Sequence, residues 1–221
     1  PWQMITHMFL HGDFGHILGN MFALWMFGSV LENVWGPKRF LLFYILCGVG
    51  ASVLHLLILS YEFVPMASDL MQLSQMSVSG SSDFNQAVLA YSKAHNIQLT
   101  RILSENNVSL DTPGIRTEIM ELLTNNYNKT LNTATLGASG AVFGIIMAFV
   151  YLFPNTYIYI YFFFPIKAKW LGILYFSYEL FFAVRNTAGD NVARWAHVGG
   201  AIVGFVLVYL WSKKERNNRW N

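Results

Sequence analysis

Residues 136–153 read LGASGAVFGIIMAFVYLF, a run without a single charged side chain. A helix that crosses the roughly 30 Å hydrocarbon core of a bilayer needs about 20 apolar residues, with a range of about 17 to 25. Four further apolar runs, one of them short, occupy residues 14–31, 40–59, 170–184 and 195–211. A soluble protein would need five nearly uncharged helices with little polar outer face. The sequence therefore predicts an all-α polytopic membrane protein.

The overall composition agrees with this prediction. The chain has 221 residues, of which 54% are hydrophobic and 12% are charged, whereas an ordinary soluble domain has about 25% charged residues. A net charge of +2 is too small to indicate a nucleic-acid partner. A single cysteine, Cys47, excludes an intramolecular disulfide. We expect the lipid bilayer as the surroundings of the protein and no nucleic acid as a partner.

The basic residues predict how the chain is oriented in the membrane. Lysine and arginine are concentrated in residues 32–39, in residues 154–169 and in the C-terminal tail. Short loops rich in these residues stay on the inner side of a membrane. We therefore expect a multi-pass protein of a bacterial inner membrane, with its C-terminus in the cytoplasm.

A polar stretch at 61–134 interrupts the apolar runs and contains no spanning run. Apolar residues recur at helical spacing around Phe84 and Val88, and again around Ile119 after Pro113, which predicts a small, mostly helical extramembrane insertion. The predicted organisation is a membrane core at 1–60 and 135–212, the insertion at 61–134 and a basic tail at 213–221. The sequence does not identify a partner for the insertion.

Four strongly polar residues inside the apolar runs are candidate functional groups, because such side chains are costly within a membrane. They are His16, Asn20, Ser139 and His197. The first, third and fifth runs cross the membrane in the same direction, so all four residues are predicted at a similar depth below the outer surface. His16 and Asn20 are four residues apart and share one helix face.

Ser139 lies at the start of its apolar run, between Gly137 and Gly140. Gly137 permits a tight entry of the backbone, and Gly140 leaves room beside the serine. A serine at a helix N-terminus has free backbone N–H groups and the positive end of the helix dipole nearby. This position suits a nucleophile for acyl transfer. The plainer alternative is a contact between helices through small residues.

His197 is the candidate general base for that serine. Ridges of small residues allow two helices to approach closely. The ridges are Ala196, Gly200 and Gly204 on the His197 helix, and Gly140 and Gly144 on the Ser139 helix. If the ridges meet, His197 can reach Ser139 and accept its proton. The alternative is a histidine that only hydrogen-bonds between helices. No carboxylate is evidently placed behind His197, so a serine–histidine dyad without a third acid is the simplest prediction.

The remaining polar residues do not indicate a metal or a cofactor. His11, His16 and Asn20 are possible ligands, but no His-Glu-x-x-His pattern is present. No apolar run contains an aspartate, which argues against an aspartyl protease. We expect no metal and no cofactor. Donation of hydrogen bonds to an oxyanion is the option left for His16 and Asn20.

Three motifs, in this order along the chain, resemble those of the rhomboid family of intramembrane serine proteases. HGDFGHILGN at 11–20 is similar to the motif of the second helix of the family. GASG at 137–140 is similar to the nucleophile motif, and AHVGG at 196–200 with Gly204 is similar to the motif of the sixth helix. The resemblance covers about 1–60 and 134–212.

The resemblance implies a rhomboid-like helical bundle with five spans of a six-helix core, the first helix lying upstream of this sequence. It implies that Ser139 attacks a scissile carbonyl and that His197 takes and returns the proton. It further implies that His16, Asn20 and the Ser139 N–H stabilise the oxyanion. Substrates would be transmembrane segments of membrane proteins, entering sideways between the second and fifth helices.

The resemblance also implies supporting roles. His11 would help to hold the external entrance loop, and Phe143 would be the aromatic ring on which His197 rests. Gly200 and Gly204 would be packing residues. A non-catalytic membrane chaperone or scaffold remains an alternative, although such relatives usually lack the serine or the histidine. A channel or transporter would need polar residues along a deeper path, where Glu179 is the one possible extension.

Overall fold

A computed structural model describes residues 2–106, 108–110, 114–132, 137–160, 163–185 and 193–218. These residues are almost all helical, and the prediction of an all-α polytopic membrane protein is confirmed. The helices are α1 Gln3–Thr6, α2 Phe14–Ala23, α3 Ser29–Trp35, α4 Pro37–Ser79, α5 Phe84–Ala94, α6 Leu99–Glu105, α7 Arg116–Leu131, α8 Ser139–Leu152, α9 Ala168–Arg185 and α10 Arg194–Asn218. A 3-10 turn at His7–Phe9 follows α1, and a π-helical segment at Leu24–Gly28 joins α2 to α3.

The chain forms two compact units. One contains the described residues of Pro1–Leu57, Thr135–Thr187 and Asn191–Asn221, and the other contains those of Ile58–Ala134. Helix α4 belongs to both, because it continues through the composition break near residue 60 instead of ending there. The outer location of residues 61–134 stays a prediction.

Three helical stretches among the described residues are long and apolar enough to cross a membrane: Phe14–Trp35, Pro37–Ser79 and Arg194–Arg216. Helix α8 is apolar but has only 14 residues, or about 21 Å at 1.5 Å per residue. It is shorter than the predicted run for two local reasons. Gly137 precedes it with φ +117°, and Pro154 follows it, which disfavours helical geometry in the preceding residue.

The two basic loops are more compact than the sequence indicates. The first turn consists of Gly36, whose φ of +78° suits glycine alone and whose N–H donates to the Glu32 carbonyl over 2.7 Å. The second loop contains an antiparallel hairpin of β1 Tyr157–Ile160 and β2 Phe164–Lys167. Isoleucine and aromatic residues favour such extended structure, and the hairpin was not expected in an all-α chain.

Helix α8 lies at the centre of the first unit, where most of its residues are buried. It packs so closely against α10 that a methyl group at Gly200 would overlap the Gly140 carbonyl oxygen. A methyl group at Gly204 would lie 2.5 Å from the Gly144 Cα. The ridges of small residues therefore face each other. This close contact fixes how the first residue of α8 stands relative to the first turn of α10.

The second unit packs α5, α6 and α7 around the later part of α4. Its core contains buried residues from all four helices: Met66, Leu70, Leu73, Phe84, Val88, Tyr91, Leu99, Ile119 and Leu123. Its predicted helical character is confirmed. Pro113, the expected start of the third of these helices, lies outside the described residues.

Candidate active site

Two helices bring a hydroxyl group and an imidazole together. Ser139 is the first residue of α8, and His197 lies in the first turn of α10. The Ser139 Oγ is 2.8 Å from the His197 Nε2. Both side chains are half-buried, which limits the competition of water for this hydrogen bond. The hydroxyl can therefore donate its proton directly to the ring nitrogen.

The ring of Phe143 holds the plane of the His197 imidazole. The two rings are stacked, with centroids 4.4 Å apart and an interplanar angle of 12°. Phe143 follows Ser139 by one helical turn, so the same helix carries the serine and the support for its histidine. Tyr175 of α9 contacts Phe143 at a centroid distance of 4.8 Å. The rotation of the imidazole is therefore restricted by packing as well as by hydrogen bonds.

A carboxylate stands behind the histidine. Glu179 of α9 is 4% exposed, and its Oε2 is 3.0 Å from the His197 Nδ1. The same oxygen is 3.4 Å from a guanidinium nitrogen of Arg194. The prediction of a dyad with no acid behind the histidine is wrong at this point. Helix α9 places Glu179 on the side that faces the other helices. Glu179 is the only charged residue in the run 170–184, and this was the signal that could have identified it.

His16 and Asn20 of α2 lie beside Gly137, two residues before Ser139. A methyl group on Gly137 would lie 2.6 Å from the His16 Nε2 and 3.6 Å from the Asn20 Nδ2. Asn20 is buried, and its Nδ2 has no hydrogen-bond partner among the described residues. Asp13 caps α2 by accepting the His16 N–H over 2.8 Å. The α2 helix thus places two side-chain nitrogens beside Gly137, two residues before Ser139.

The tautomer of His16 follows from its surroundings. The backbone N–H of Gly12 donates to the His16 Nδ1 over 3.4 Å, which leaves the hydrogen on Nε2. His11 packs edge-on against His16, with ring centroids 5.3 Å apart and an interplanar angle of 75°. His11 therefore contacts the His16 ring.

The start of α8 contributes backbone donors. Its first helical hydrogen bond runs from the Val142 N–H to the Ala138 carbonyl over 3.0 Å. The N–H groups of residues 139–141 consequently have no acceptor within the helix, as at every helix start. They lie at the positive end of the helix dipole, which favours negative charge. The His16 and Asn20 side chains lie beside Gly137, two residues before this helix start.

A second serine–histidine contact occurs in the same unit, and the sequence analysis did not identify it. The Ser52 Oγ of α4 is 3.2 Å from the His7 Nε2. Ser52 also donates to the Gly48 carbonyl over 3.0 Å, and the His7 Nδ1 lies 2.9 Å from the Gln3 carbonyl oxygen. This pair gives a comparison within the molecule for the first one.

Comparison with known proteins gives the family. The model of the Rhomboid domain matches residues 1–109 and 108–214. The chain belongs to the rhomboid family. This rhomboid chain is similar to the mitochondrial RHOMBOID-like protein 12 of Arabidopsis thaliana, at 27% identity over 92% of the chain and 44% of that protein. It is similar to the mitochondrial Rhomboid protein 1 of Saccharomyces cerevisiae, at 24% identity over 98% of the chain and 44% of that protein.

A shorter match, at 34% identity, joins 30% of the chain to 12% of the Rhomboid protease GluP of Bacillus subtilis. The chain spans about half the length, or less, of these curated relatives. No solved structure matches it significantly.

The expectation of a bacterial cell membrane is wrong. The relatives that align along nearly the whole rhomboid chain are mitochondrial proteins of a plant and of yeasts. The expectation of a C-terminus in the bacterial cytoplasm is therefore wrong as well. The multi-pass membrane character is supported by both the family and the apolar helices.

Proposed function

We propose that this rhomboid protein is an intramembrane serine endopeptidase with Ser139 as its nucleophile and His197 as its general base. The single observation that carries the proposal is the 2.8 Å contact between Ser139 Oγ and His197 Nε2, made by two helices of a membrane protein. Family membership supports proteolysis of this type. A hydroxyl group becomes an effective nucleophile when a positioned base removes its proton as it attacks.

The first chemical step forms an acyl-enzyme. The Ser139 Oγ attacks the scissile carbonyl carbon while its proton passes to the His197 Nε2. The carbonyl π electrons move to the oxygen, and a tetrahedral oxyanion forms. The Ser139 N–H and the side-chain nitrogens of His16 and Asn20 donate to that oxygen. The C–N bond then breaks, and the departing amine takes the proton from the His197 imidazolium.

The second step releases the product. Water attacks the acyl carbonyl, and His197 takes a proton from it. The second tetrahedral oxyanion uses the same donors. When it collapses, the bond between the carbonyl carbon and Ser139 Oγ breaks, and the proton held by His197 returns to the serine. The enzyme is regenerated and one peptide bond has been hydrolysed without a cofactor.

The proposed substrates are transmembrane segments of membrane proteins. The site is built on apolar helices, and α8 and α10, which carry the reacting groups, are themselves flanked by apolar surface. A helical substrate must expose its scissile carbonyl locally, because its backbone groups are otherwise hydrogen-bonded within the helix. We therefore propose cleavage near a helix end or at a helix-weakening residue.

The test is cleavage of a single-span model substrate by the full-length protein in proteoliposomes. Ser139→Ala is expected to abolish cleavage, and Ser52→Ala is the matched control because it removes the hydroxyl of the other serine–histidine pair. Undiminished cleavage by Ser139→Ala would contradict the proposal. Binding of the substrate by the unaltered protein without any cleavage would favour a chaperone or scaffold instead.

We also propose a mitochondrial membrane as the location, from the names of the relatives that align over nearly the whole chain. The full-length protein carrying a C-terminal fluorescent tag is expected to fractionate with mitochondria when expressed in yeast. Fractionation with the plasma membrane or the endoplasmic reticulum would contradict this proposal. That outcome would leave the proposed chemistry unaffected.

A further inference from the structure

We propose that Glu179 completes a Ser–His–Glu arrangement, acting as the positioning residue for His197. This inference rests on the proposed function and deepens it. The motivating contact is the 3.0 Å distance between the Glu179 Oε2 and the His197 Nδ1. It lies on the opposite side of the imidazole from the 2.8 Å contact to Ser139.

The contact determines which ring nitrogen carries the hydrogen. A carboxylate oxygen accepts hydrogen bonds and cannot donate one when ionised. The Nδ1 facing Glu179 therefore carries the hydrogen, and Nε2 presents its lone pair to the Ser139 hydroxyl. In the other tautomer two acceptors would face each other at Glu179, and Nε2 would be unable to take the serine proton. Glu179 thus selects the tautomer in which His197 is a base.

The carboxylate also stabilises the charge that develops during the reaction. When His197 accepts the serine proton it becomes an imidazolium, and a buried negative charge 3.0 Å away favours that form. Glu179 is 4% exposed, so solvent screens this interaction weakly. The carboxylate need not itself take the proton in order to have this effect.

The position of Glu179 in the fold argues against a chance contact. A carboxylate inside an apolar helix is costly unless it is paired, so it is a functional hypothesis by default. Arg194 supplies a partial countercharge at 3.4 Å and also lies over the rings of Tyr178 and Phe182. The competing explanation is that Glu179 only pairs with Arg194 and ties α9 to α10. That contact is the longer of the two made by the same oxygen.

Three substitutions separate these explanations. Glu179→Asp keeps the charge, Glu179→Gln keeps an acceptor oxygen without the charge, and Glu179→Leu removes both. In proteoliposomes we expect kcat to fall in the order wild type, Asp, Gln, Leu, with a loss of about 100-fold or more for Leu, while KM stays constant. Rates are expressed per folded protein, with the folded fraction taken from thermal unfolding in the same lipid.

Arg194→Gln is the matched comparison, because it breaks the ion pair and leaves the Nδ1 contact. We expect it to lower kcat less than Glu179→Gln does. Equal losses for these two variants, or a Leu variant with the kcat of the wild type, would overturn the inference. A Gln variant that does not fold would assign Glu179 a structural task and overturn it as well.

Ser139→Ala separates failure of this inference from failure of the proposed function. Residual cleavage by Ser139→Ala would remove the proposed function and the inference together. Complete loss for Ser139→Ala combined with normal kcat in all three Glu179 variants would remove the inference alone.

Discussion

Two serine–histidine pairs in one unit have similar hydrogen-bond distances and different surroundings. Ser139 lies 2.8 Å from His197, and Ser52 lies 3.2 Å from His7. Ser139 begins a helix, so the N–H groups around it are outside the helical ladder. Ser52 lies within α4 and returns its hydroxyl to the Gly48 carbonyl over 3.0 Å, as serine in a helix interior commonly does.

The two histidines differ as well. His197 is stacked on Phe143 and faces the buried carboxylate of Glu179. The Nδ1 of His7 contacts the neutral carbonyl oxygen of Gln3. A serine within reach of histidine is therefore insufficient to indicate an active site. The free N–H groups of a helix start beside the hydroxyl and an acid behind the imidazole separate the first pair from the second.

The largest expected difference between the pairs is in activity. His197→Gln removes the proposed general base, and we expect it to lower kcat by about 10²- to 10⁴-fold. His7→Gln is expected to leave kcat unchanged, because Ser52 lies within α4, where the backbone N–H groups are hydrogen-bonded along the helix. Initial rates with a single-span substrate in proteoliposomes measure both. Comparable losses in the two variants would remove the distinction between the pairs.

A glycine substitution should destabilise the contact between α8 and α10, the two helices that carry the first pair. Gly200→Ala places a methyl group on the Gly140 carbonyl oxygen, which forces α8 and α10 apart at a cost of about 1–3 kcal/mol or more in unfolding free energy. The control is Gly19→Ala, since a methyl group there would contact nothing within 4 Å. Its effect is expected within about 0.5 kcal/mol. Thermal unfolding in lipid gives both values, and equal stabilities would contradict the close packing.

Removing the stacked ring should have a moderate effect on rate. Phe143→Leu removes an aromatic contact worth about 0.5–1.5 kcal/mol, so we expect kcat to fall about 3- to 10-fold because His197 is held less firmly. Phe149→Leu is the control on the same helix, since its ring packs on Phe27 instead. If both variants lose equal stability but only Phe143→Leu loses kcat, the ring positions the imidazole. An unchanged kcat in Phe143→Leu would contradict a role of this ring in positioning His197.

The smallest effect on stability is expected from Tyr91 in the second unit. Burial, with Asp69 and Tyr127 nearby, raises the pKa of Tyr91 from 10.0 to about 12. As the pH rises, the Tyr91 hydroxyl loses its proton in the unfolded chain before it does so in the folded protein. The contribution of Tyr91 to the free energy of unfolding is therefore present below pH 10 and is lost as the pH rises toward 12. Tyr91→Phe should flatten this part of the unfolding curve and leave cleavage unchanged. An identical pH dependence in the variant would contradict the shift.

Most of the membrane fold could be predicted because the features that determine it are patterns along the chain. The apolar runs, the glycine ridges and the polar residues at Ser139 and His197 are all visible in the order of residues. Gly200 and Gly140 are predicted as contacts because small residues at spacing four have few other uses in apolar helices. The roles of these residues in catalysis stay a prediction.

What the sequence left out depends on rotation and on distant packing. The face of α9 on which Glu179 points cannot be read from an apolar helix without a clear polar side, so its contact with His197 was missed. The hairpin of Tyr157–Ile160 and Phe164–Lys167 was missed because periodicity alone does not distinguish a short apolar strand from a helical segment. The bacterial location was wrong because the distribution of basic residues predicts how a chain is oriented in a membrane, and not in which membrane it lies.

The most direct test of the central claim is covalent labelling with a serine-directed fluorophosphonate. The full-length protein in proteoliposomes is labelled, digested and examined by mass spectrometry. We predict an adduct on Ser139 that is lost in His197→Gln and kept in His7→Gln. An adduct on Ser52 with none on Ser139, or equal labelling of Ser139 in the absence of His197, would contradict the account.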